Sequence, residues 1–175
     1  AIYHESHKYF TILGIRATIE NREVVAWDQP MIKPAQEGLI AFIIKPINGI
    51  LHFLVQAKLE VGNFDVIEFA PTVQCLTRNY RKDFNEYSVP FIEEVLSATK
   101  DKVIYSSLQS EEGGRFYFEQ NKNVLVLEST EFNPELPENY CWMSLGQILN
   151  FLQFNNYFNI AARSLISAIS PLDLN

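Results

Sequence analysis

At 175 residues and a formal net charge of −7, the chain has enough sequence for one folded domain and is too acidic for a nucleic-acid scaffold. Hydrophobic residues make up 47% and charged residues 20%, as is typical of a globular protein, and no segment approaches the ~18 apolar residues of a membrane span. The two cysteines, Cys75 and Cys141, form no CxxC pair, so we expect neither disulfides nor zinc, and we expect a cytoplasmic location.

The first half of the chain is predicted to form a sheet. Segments with a two-residue period, or apolar throughout, lie at 9–19, 23–32, 39–47, 50–59 and 65–74. Asn48-Gly49 separates the third and fourth segments and is the strongest short signal for a type I′ hairpin. Segment 39–47 is apolar on both faces, so we expect a central strand that is covered on both sides.

The second half mixes strands and helices. Segment 90–98 has helical spacing, 103–108 is predicted as a strand, and 115–129 is predicted as a hairpin that turns at Asn121-Lys122. Segments 144–154 and 159–169 are predicted as amphipathic helices, with Ser144 as the N-cap of the first. The sequence therefore predicts one α+β domain over 1–175, with two sheets or one mixed sheet flanked by about three helices.

The stretch HFLVQAKLE at 52–60 has one polar and one apolar phase. His52, Gln56, Lys58 and Glu60 share the polar phase. A hairpin at Asn48-Gly49 would pair Lys45 with His52, Ala41 with Gln56 and Leu39 with Lys58. Because this polar phase would lie beside a covered strand, we expect the wall of a cleft. The alternative is a solvated sheet face with Lys and Glu pairs.

Two further groups of residues could contact a ligand. Glu68 and Gln74 share a phase in the next predicted strand, which leads into Arg78, Asn79, Tyr80 and Arg81. The second group is SEEGGRFYFEQNKN at 110–123, where a Gly113-Gly114 loop precedes Arg115 and Tyr117. Free backbone amides followed by an Arg and an aromatic ring suit a diphosphate next to a base or a sugar. The alternative for Gly-Gly is an ordinary turn.

Short motifs for metal or nucleophilic chemistry are missing from the sequence. His4 and His7 have no HExxH motif or carboxylate cluster beside them, so no metal site is expected. GxSxG, GxGxxG and GxxxxGK[ST] do not occur. A lone strand histidine such as His52 is more often structural than catalytic.

Three blocks of sequence resemble the NDP-hexose 2,3-dehydratase family: WDQPMI (27–32), GILHFLVQAKLEVGNFDVIEFAPTVQCLTRNY (49–80) and SEEGGRFYFEQNKN (110–123). The resemblance implies a Nudix-like fold and action on a thymidine-diphosphate 4-keto-6-deoxyhexose without a cofactor. Family members usually contain two such units, and this chain resembles one, closer to the second. We therefore expect two chains to pair as a homodimer. Because the sequence does not begin with Met, we also expect trimming or residues upstream.

A comparison with the Nudix box argues against pyrophosphate hydrolysis. Gly62 and Glu68 match its opening, GxxxxxE, but the REUxEE stretch that binds the catalytic metal has no counterpart after Leu76. The fold can be shared without the chemistry.

The implied reaction needs a base at C3, donors for the C4 enolate and an acid for the oxygen that leaves C2. We expect Glu60 or Glu68 as the base, Lys58 or Gln56 at the enolate, and His52 as a reserve acid. The diphosphate candidates are Arg78, Arg81 and Arg115. Tyr80, Tyr117 and Trp27 are candidates for the thymine or the sugar, and Gln29, Gln74 and Asn79 for further substrate contacts. Two alternatives stay open, a non-catalytic sugar-nucleotide-binding unit and a 4-keto sugar isomerase.

Overall fold

The computed structural model describes residues 1–76 and 88–169, which form ten strands and three helices. The strands are β1 Ile2–Tyr3, β2 Phe10–Thr18, β3 Ala26–Pro34, β4 Gly38–Ile47, β5 Ile50–Leu59, β6 Ile67–Ala70, β7 Val73–Leu76, β8 Val103–Ser110, β9 Gln120–Leu127 and β10 Tyr140–Ser144. The helices are α1 Ile92–Leu96, α2 Leu145–Phe151 and α3 Ile160–Ser167. The α+β prediction with about three helices is confirmed.

The strands form two sheets. One is a three-stranded antiparallel sheet in the order β1-β2-β3. The other has seven strands, with the path β10-β5-β4-β9-β8, and β6 and β7 pair with β5 and β4 off this path. It is mixed, because β4 and β9 are parallel while its other pairs are antiparallel.

Strand β4 is the centre of the seven-stranded sheet, as predicted. Leu39 to Ile44 are almost completely buried. Their side chains point alternately to the two faces of the sheet, and both faces are covered. Ile40, Phe42 and Ile44 pack in a cluster with residues of α2 and α3. The intervening side chains pack in a second cluster with residues of α1. A strand covered on both faces has no need of polar residues, which explains the continuous apolar segment.

The predicted hairpin forms, but its two strands separate after four residue pairs. Asn48 and Gly49 both have positive φ, as a type I′ turn requires, and Lys45 lies opposite His52 as predicted. The predicted pairs Ala41–Gln56 and Leu39–Lys58 are wrong. Ala41 instead pairs with Val73 of β7, and Gln56 pairs with Ala70 of β6.

Pro71 and Thr72 explain this separation. The predicted single strand 65–74 breaks here because proline has no N–H to donate to a ladder. The buried Thr72 hydroxyl accepts a hydrogen bond from the backbone N–H of Ile43 at 2.9 Å and donates one to the carbonyl of Leu54. One side chain thus holds β4 and β5 apart and lets segment 67–76 pair with both.

The predicted hairpin over 115–129 is also wrong. Asn121 and Lys122 lie inside the continuous strand β9, which pairs with β8 on one side and with β4 on the other. Residues 111–119 form a loop, in which Gly114 and Phe118 have positive φ. The apolar segment 124–127 is buried between two neighbouring strands, so no turn is needed before it.

The two longer helices begin at side-chain caps. Ser144 forms a capping box with Gln147 at the start of α2, which confirms the predicted cap. Asn159 caps α3 by accepting from the N–H of Ala162 at 2.9 Å. Within residues 1–76 and 88–169, no helix has the length and apolar character needed to cross a membrane.

Candidate active site

A cavity of about 420 Å³ opens on the face of the seven-stranded sheet that packs against α3. Ile40 lies opposite Gln74 on β7 and opposite Asn123 on β9, and opposed residues point to the same face. Ile40 also packs in one cluster with Ala161 and Ala162 of α3. We call this side of the sheet the α3 face. Its cavity is lined by Gly38, Leu39, Ile40, Lys58, Gln74, Cys75, Leu76, Glu111, Glu112, Arg115, Phe116, Glu119, Asn121, Ile160 and Ala161.

Glu60 is the centre of a polar cluster beside this cavity. The Nζ of Lys58 lies 3.2 Å from one of its carboxylate oxygens, and the Nε2 of Gln74 donates to the same oxygen at 3.0 Å. The amide nitrogen of Asn159 donates to the other oxygen at 2.9 Å and to the Oε1 of Gln74 at 2.8 Å. Strands β5 and β7 and the start of α3 therefore meet at one carboxylate.

The same contacts fix the charge of Glu60. Burial raises the pKa of this carboxyl, but the hydrogen bonds from Asn159, Lys58 and Gln74 and the positive charge of Lys58 outweigh burial, so the pKa is lowered overall. Glu60 is consequently ionised at neutral pH and held in one orientation. An ionised, positioned carboxylate with side-chain donors around it has the form of a general base.

The other carboxylate candidate is Glu68 on β6. It lies opposite Lys58 in the ladder between β5 and β6. Its neighbour Phe69 packs against Phe158 with ring centroids 5.3 Å apart and the rings tilted at 40°, in the cluster that includes residues of α2 and α3. Because opposed residues share a face, Glu68 is on the same side of the sheet as Lys58, but Glu68 does not line the cavity. Glu60, whose partners Lys58 and Gln74 line the cavity, is the better placed of the two.

The far wall of the cavity contains residues that the sequence analysis did not single out. This wall is formed by alternate residues that point to the α3 face: Glu119 directly before β9, and Asn121 and Asn123 within it. The amide of Asn121 donates to the carboxylate of Glu111. A Cβ added at Gly38 would lie 2.1 Å from the Oδ1 of Asn121. Position 38 therefore has to be glycine for this Asn to remain in place. Because the sequence predicts a turn at Asn121-Lys122, the alternation of Glu119, Asn121 and Asn123 along one strand is not evident from the sequence.

The loop before this wall joins the two sheets. The Ile32 N–H of β3 donates to the carbonyl of Arg115 at 2.8 Å, and the Tyr117 N–H donates to the carbonyl of Ile32 at 2.7 Å. The side chain of Gln29 donates to the carbonyl of Gly114. Arg115 lines the cavity, is exposed, and lies 3.4 Å from the carboxylate of Glu112. Gln29 and Tyr117 thus hold the loop, and Arg115 is the side chain that reaches the cavity.

Other predicted site residues lie away from the cavity. Gln56 is buried and donates to the carbonyl of Pro71 at 2.8 Å. His52 is about 26 Å from Glu60 by the usual rise of a strand, with Nδ1 at 2.8 Å from the carbonyl of Ile50. Trp27 donates to Gln29 at 2.6 Å and lines a separate open depression of about 630 Å³. Arg78, Asn79, Tyr80 and Arg81 lie outside the described residues.

Cys75 also lines the cavity, but it is not suited to be a nucleophile. Burial raises the pKa of its thiol to about 11, against a smaller lowering by the charge of Lys58. The reactive form of cysteine is the thiolate, so Cys75 is inert at neutral pH. Among residues 1–76 and 88–169, no three His, Cys, Asp or Glu side chains are grouped to hold a metal ion.

Comparison with known proteins identifies the family of the chain. The family model for NDP-hexose 2,3-dehydratase matches residues 1–169. The chain belongs to that family. It is 41% identical over 171 residues to a dTDP-4-dehydro-6-deoxy-alpha-D-glucopyranose 2,3-dehydratase of Saccharopolyspora spinosa, covering 98% of this chain and 35% of the relative. It is 38% identical to the enzyme of the same name from Streptomyces violaceoruber, covering 98% of this chain and 38% of that one.

This member of the NDP-hexose 2,3-dehydratase family therefore spans a little over a third of the length of the curated relatives it matches. Solved structures with a similar fold include an ADP compounds hydrolase, at a TM-score of 0.46 and 13% identity over 94% of each chain. A Nudix hydrolase from M. smegmatis has a TM-score of 0.46 and 10% identity, covering 75% of this chain and 82% of that one. Identities this low indicate no shared activity.

Proposed function

We propose that the chain removes water across C2 and C3 of a dTDP-4-keto-6-deoxyhexose by base-catalysed elimination. The observation that carries this proposal is the ionised Glu60, which is held by Lys58, Gln74 and Asn159 beside the cavity of the α3 face. The names of the relatives, at 41% and 38% identity, supply the substrate class.

The chemistry of the substrate suits these residues. The C4 ketone acidifies the proton on C3, so a carboxylate base suffices, and the electron pair is delocalised as a C4 enolate. Lys58 is the cation that lines the cavity beside Glu60, so it is the proposed partner of the enolate oxygen. A positioned base contributes about 10² to 10⁴ in rate, and an oxyanion donor contributes a similar factor.

The nucleotide would be held by other groups. Arg115 is the described cation at the mouth of the cavity, and its side chain is 67% exposed and so available to a diphosphate. Trp27 remains the proposed stacking partner for thymine, in the depression that it lines near 21–24. Arg78 and Arg81 remain proposals from the sequence.

The direct test is incubation of the purified protein with a dTDP-4-keto-6-deoxyhexose, followed by mass spectrometry of the sugar nucleotide. Loss of one water is expected without added metal or nicotinamide. Analytical ultracentrifugation of the same sample would test the proposed homodimer. Unchanged substrate mass at high concentration of folded protein would contradict the dehydratase proposal.

A second candidate is a non-catalytic sugar-nucleotide-binding unit within a larger assembly. It is favoured by one observation, that the chain spans a little over a third of its relatives. Binding of thymidine diphosphate in calorimetry, together with no water loss, would support this candidate. The cytoplasm remains the proposed compartment, because Cys75 and Cys141 are both free thiols.

A further inference from the structure

We propose that Glu119 is the acid that gives its proton to the oxygen leaving C2. This inference rests on the proposed dehydration. The same site needs an acid on the far side of the substrate from Glu60, and the described residues place Glu119 there.

The position of Glu119 follows from the ladder between β8 and β9. The N–H of Glu111 donates to the carbonyl of Glu119 at 3.0 Å, which continues the ladder one pair beyond Ser110 and Gln120. Opposed residues in an antiparallel ladder share a face, and their Cβ atoms are about 4.5–5.5 Å apart. Both residues line the cavity.

The two carboxyl groups have different surroundings. Glu111 accepts a hydrogen bond from the amide of Asn121, which stabilises its charged form. The Oε2 of Glu119 is buried and receives no hydrogen bond from any described residue. When two carboxyl groups are neighbours on one face of a sheet, ionisation of one disfavours ionisation of the other, and the one without a donor is the one that keeps the proton. Burial, followed by the charge of Glu111, raises the pKa of Glu119, in agreement with this assignment.

A second unpartnered oxygen indicates what the wall binds. The Oδ1 of Asn123 is buried without a hydrogen bond from the described residues, and the whole residue is 2% exposed. It lines an extension of about 110 Å³ that shares Ile40, Glu111 and Ile160 with the main cavity. Buried polar oxygens are nearly always satisfied, so this wall is complementary to a ligand that has hydroxyl groups.

The distance across the site also suits the reaction. Strand β7, which contains Gln74, and strand β9 lie on either side of β4, so they are about 10 Å apart. A sugar ring between them would have Glu60 and Lys58 on one side and Glu119 on the other.

The step is balanced without an added reagent. The C3–H bond breaks, its proton goes to Glu60, and its electron pair forms the enolate. The enolate then forms the C2=C3 double bond as the C2–O bond breaks, and the departing hydroxyl takes the proton of Glu119 to leave as water. Glu119 is then ionised and recovers its proton from solvent, while Glu60 releases one.

The test separates proton removal from water loss. Wild-type protein and the E119Q variant are incubated with a dTDP-4-keto-6-deoxyhexose in deuterated water, and the sugar is followed by NMR and mass spectrometry. E119Q is expected to lose water about 10² to 10⁴ times more slowly while it still exchanges the C3 proton for deuterium. The matched control is E131Q, an exposed Glu in another loop, which should behave as wild type.

A pH profile gives the second readout. Because the acid must be protonated, water loss by wild type should fall as pH rises through the pKa of Glu119, and the residual rate of E119Q should lack this limb. If E119Q fails to fold, E119D retracts the carboxyl group by one methylene, and the same split between exchange and water loss is expected.

The remaining outcomes have distinct meanings. Water loss at the wild-type rate in E119Q overturns the inference. The inference is also overturned if E119Q is folded and binds thymidine diphosphate but shows neither C3 exchange nor water loss, because the residue would then act at C3. If the wild type shows neither C3 exchange nor water loss, the proposed function itself is refuted.

Discussion

Asn159 donates a hydrogen bond to Glu60 at 2.9 Å, across 99 residues of sequence. The same side chain caps α3 through its oxygen, which accepts from the N–H of Ala162 at 2.9 Å. One residue thus fixes both the start of a helix and the orientation of the proposed base. This double role couples the stability of the fold to the ionisation of the site.

The variant Asn159→Ala tests that coupling. Loss of the cap should reduce the free energy of unfolding by about 0.5–2 kcal/mol. Loss of the donor should also raise the pKa of Glu60 towards its ordinary value. A lowered pKa stabilises the fold above the ordinary Glu value of about 4.3, and this contribution is lost as pH falls through the folded pKa. The stability difference between wild type and variant should therefore shrink as pH falls below that value.

The measurement is urea denaturation at a series of pH values, with Ser144→Ala as the matched control. Ser144 caps α2 with no described carboxylate in its capping box, so its removal should lower stability by a similar amount at every pH. A constant difference between Asn159→Ala and wild type across the acid range would contradict the coupling.

Thr72 allows a second prediction, about the separation of β4 and β5. In Thr72→Val the shape is kept but the hydroxyl is lost, so the N–H of Ile43 and the carbonyl of Leu54 lose their partner in a buried place. Such losses cost about 1–3 kcal/mol. Thr72→Ser keeps the hydroxyl and should cost less, about 0.5–1.5 kcal/mol for one buried methyl group. Equal stability of both variants in urea denaturation would show that the bridge is not needed.

Sequence patterns predicted the parts of the fold that local chemistry determines. The turn at Asn48-Gly49, the buried segment of β4 and the cap at Ser144 all follow from residues within a few positions of one another. The separation of β4 and β5 depends on Thr72, which is 29 residues from Ile43. No periodicity within one segment contains that information.

The candidate site shows the same division. The two-residue period of segment 52–60 places Lys58 and Glu60 on the same face and predicts a cleft, and the family resemblance implies the class of substrate. The sequence does not predict the role of Asn159, because a row of polar residues on a strand does not indicate which helix packs against that strand. Sequence patterns do not predict Glu119, because the apolar segment after Asn121-Lys122 is typical of the second arm of a hairpin, whereas β9 is buried between two neighbouring strands.

The final prediction distinguishes the two proposed bases. Glu60→Gln keeps the size of the side chain but cannot accept a proton at neutral pH, so exchange of the C3 proton in deuterated water should fall by about 10² to 10⁴. Glu68→Gln is the matched variant and should exchange normally, since Glu68 does not line the cavity. Calorimetry with thymidine diphosphate should show unchanged binding in both variants. Loss of exchange in Glu68→Gln together with normal exchange in Glu60→Gln would assign the base to Glu68 instead of Glu60.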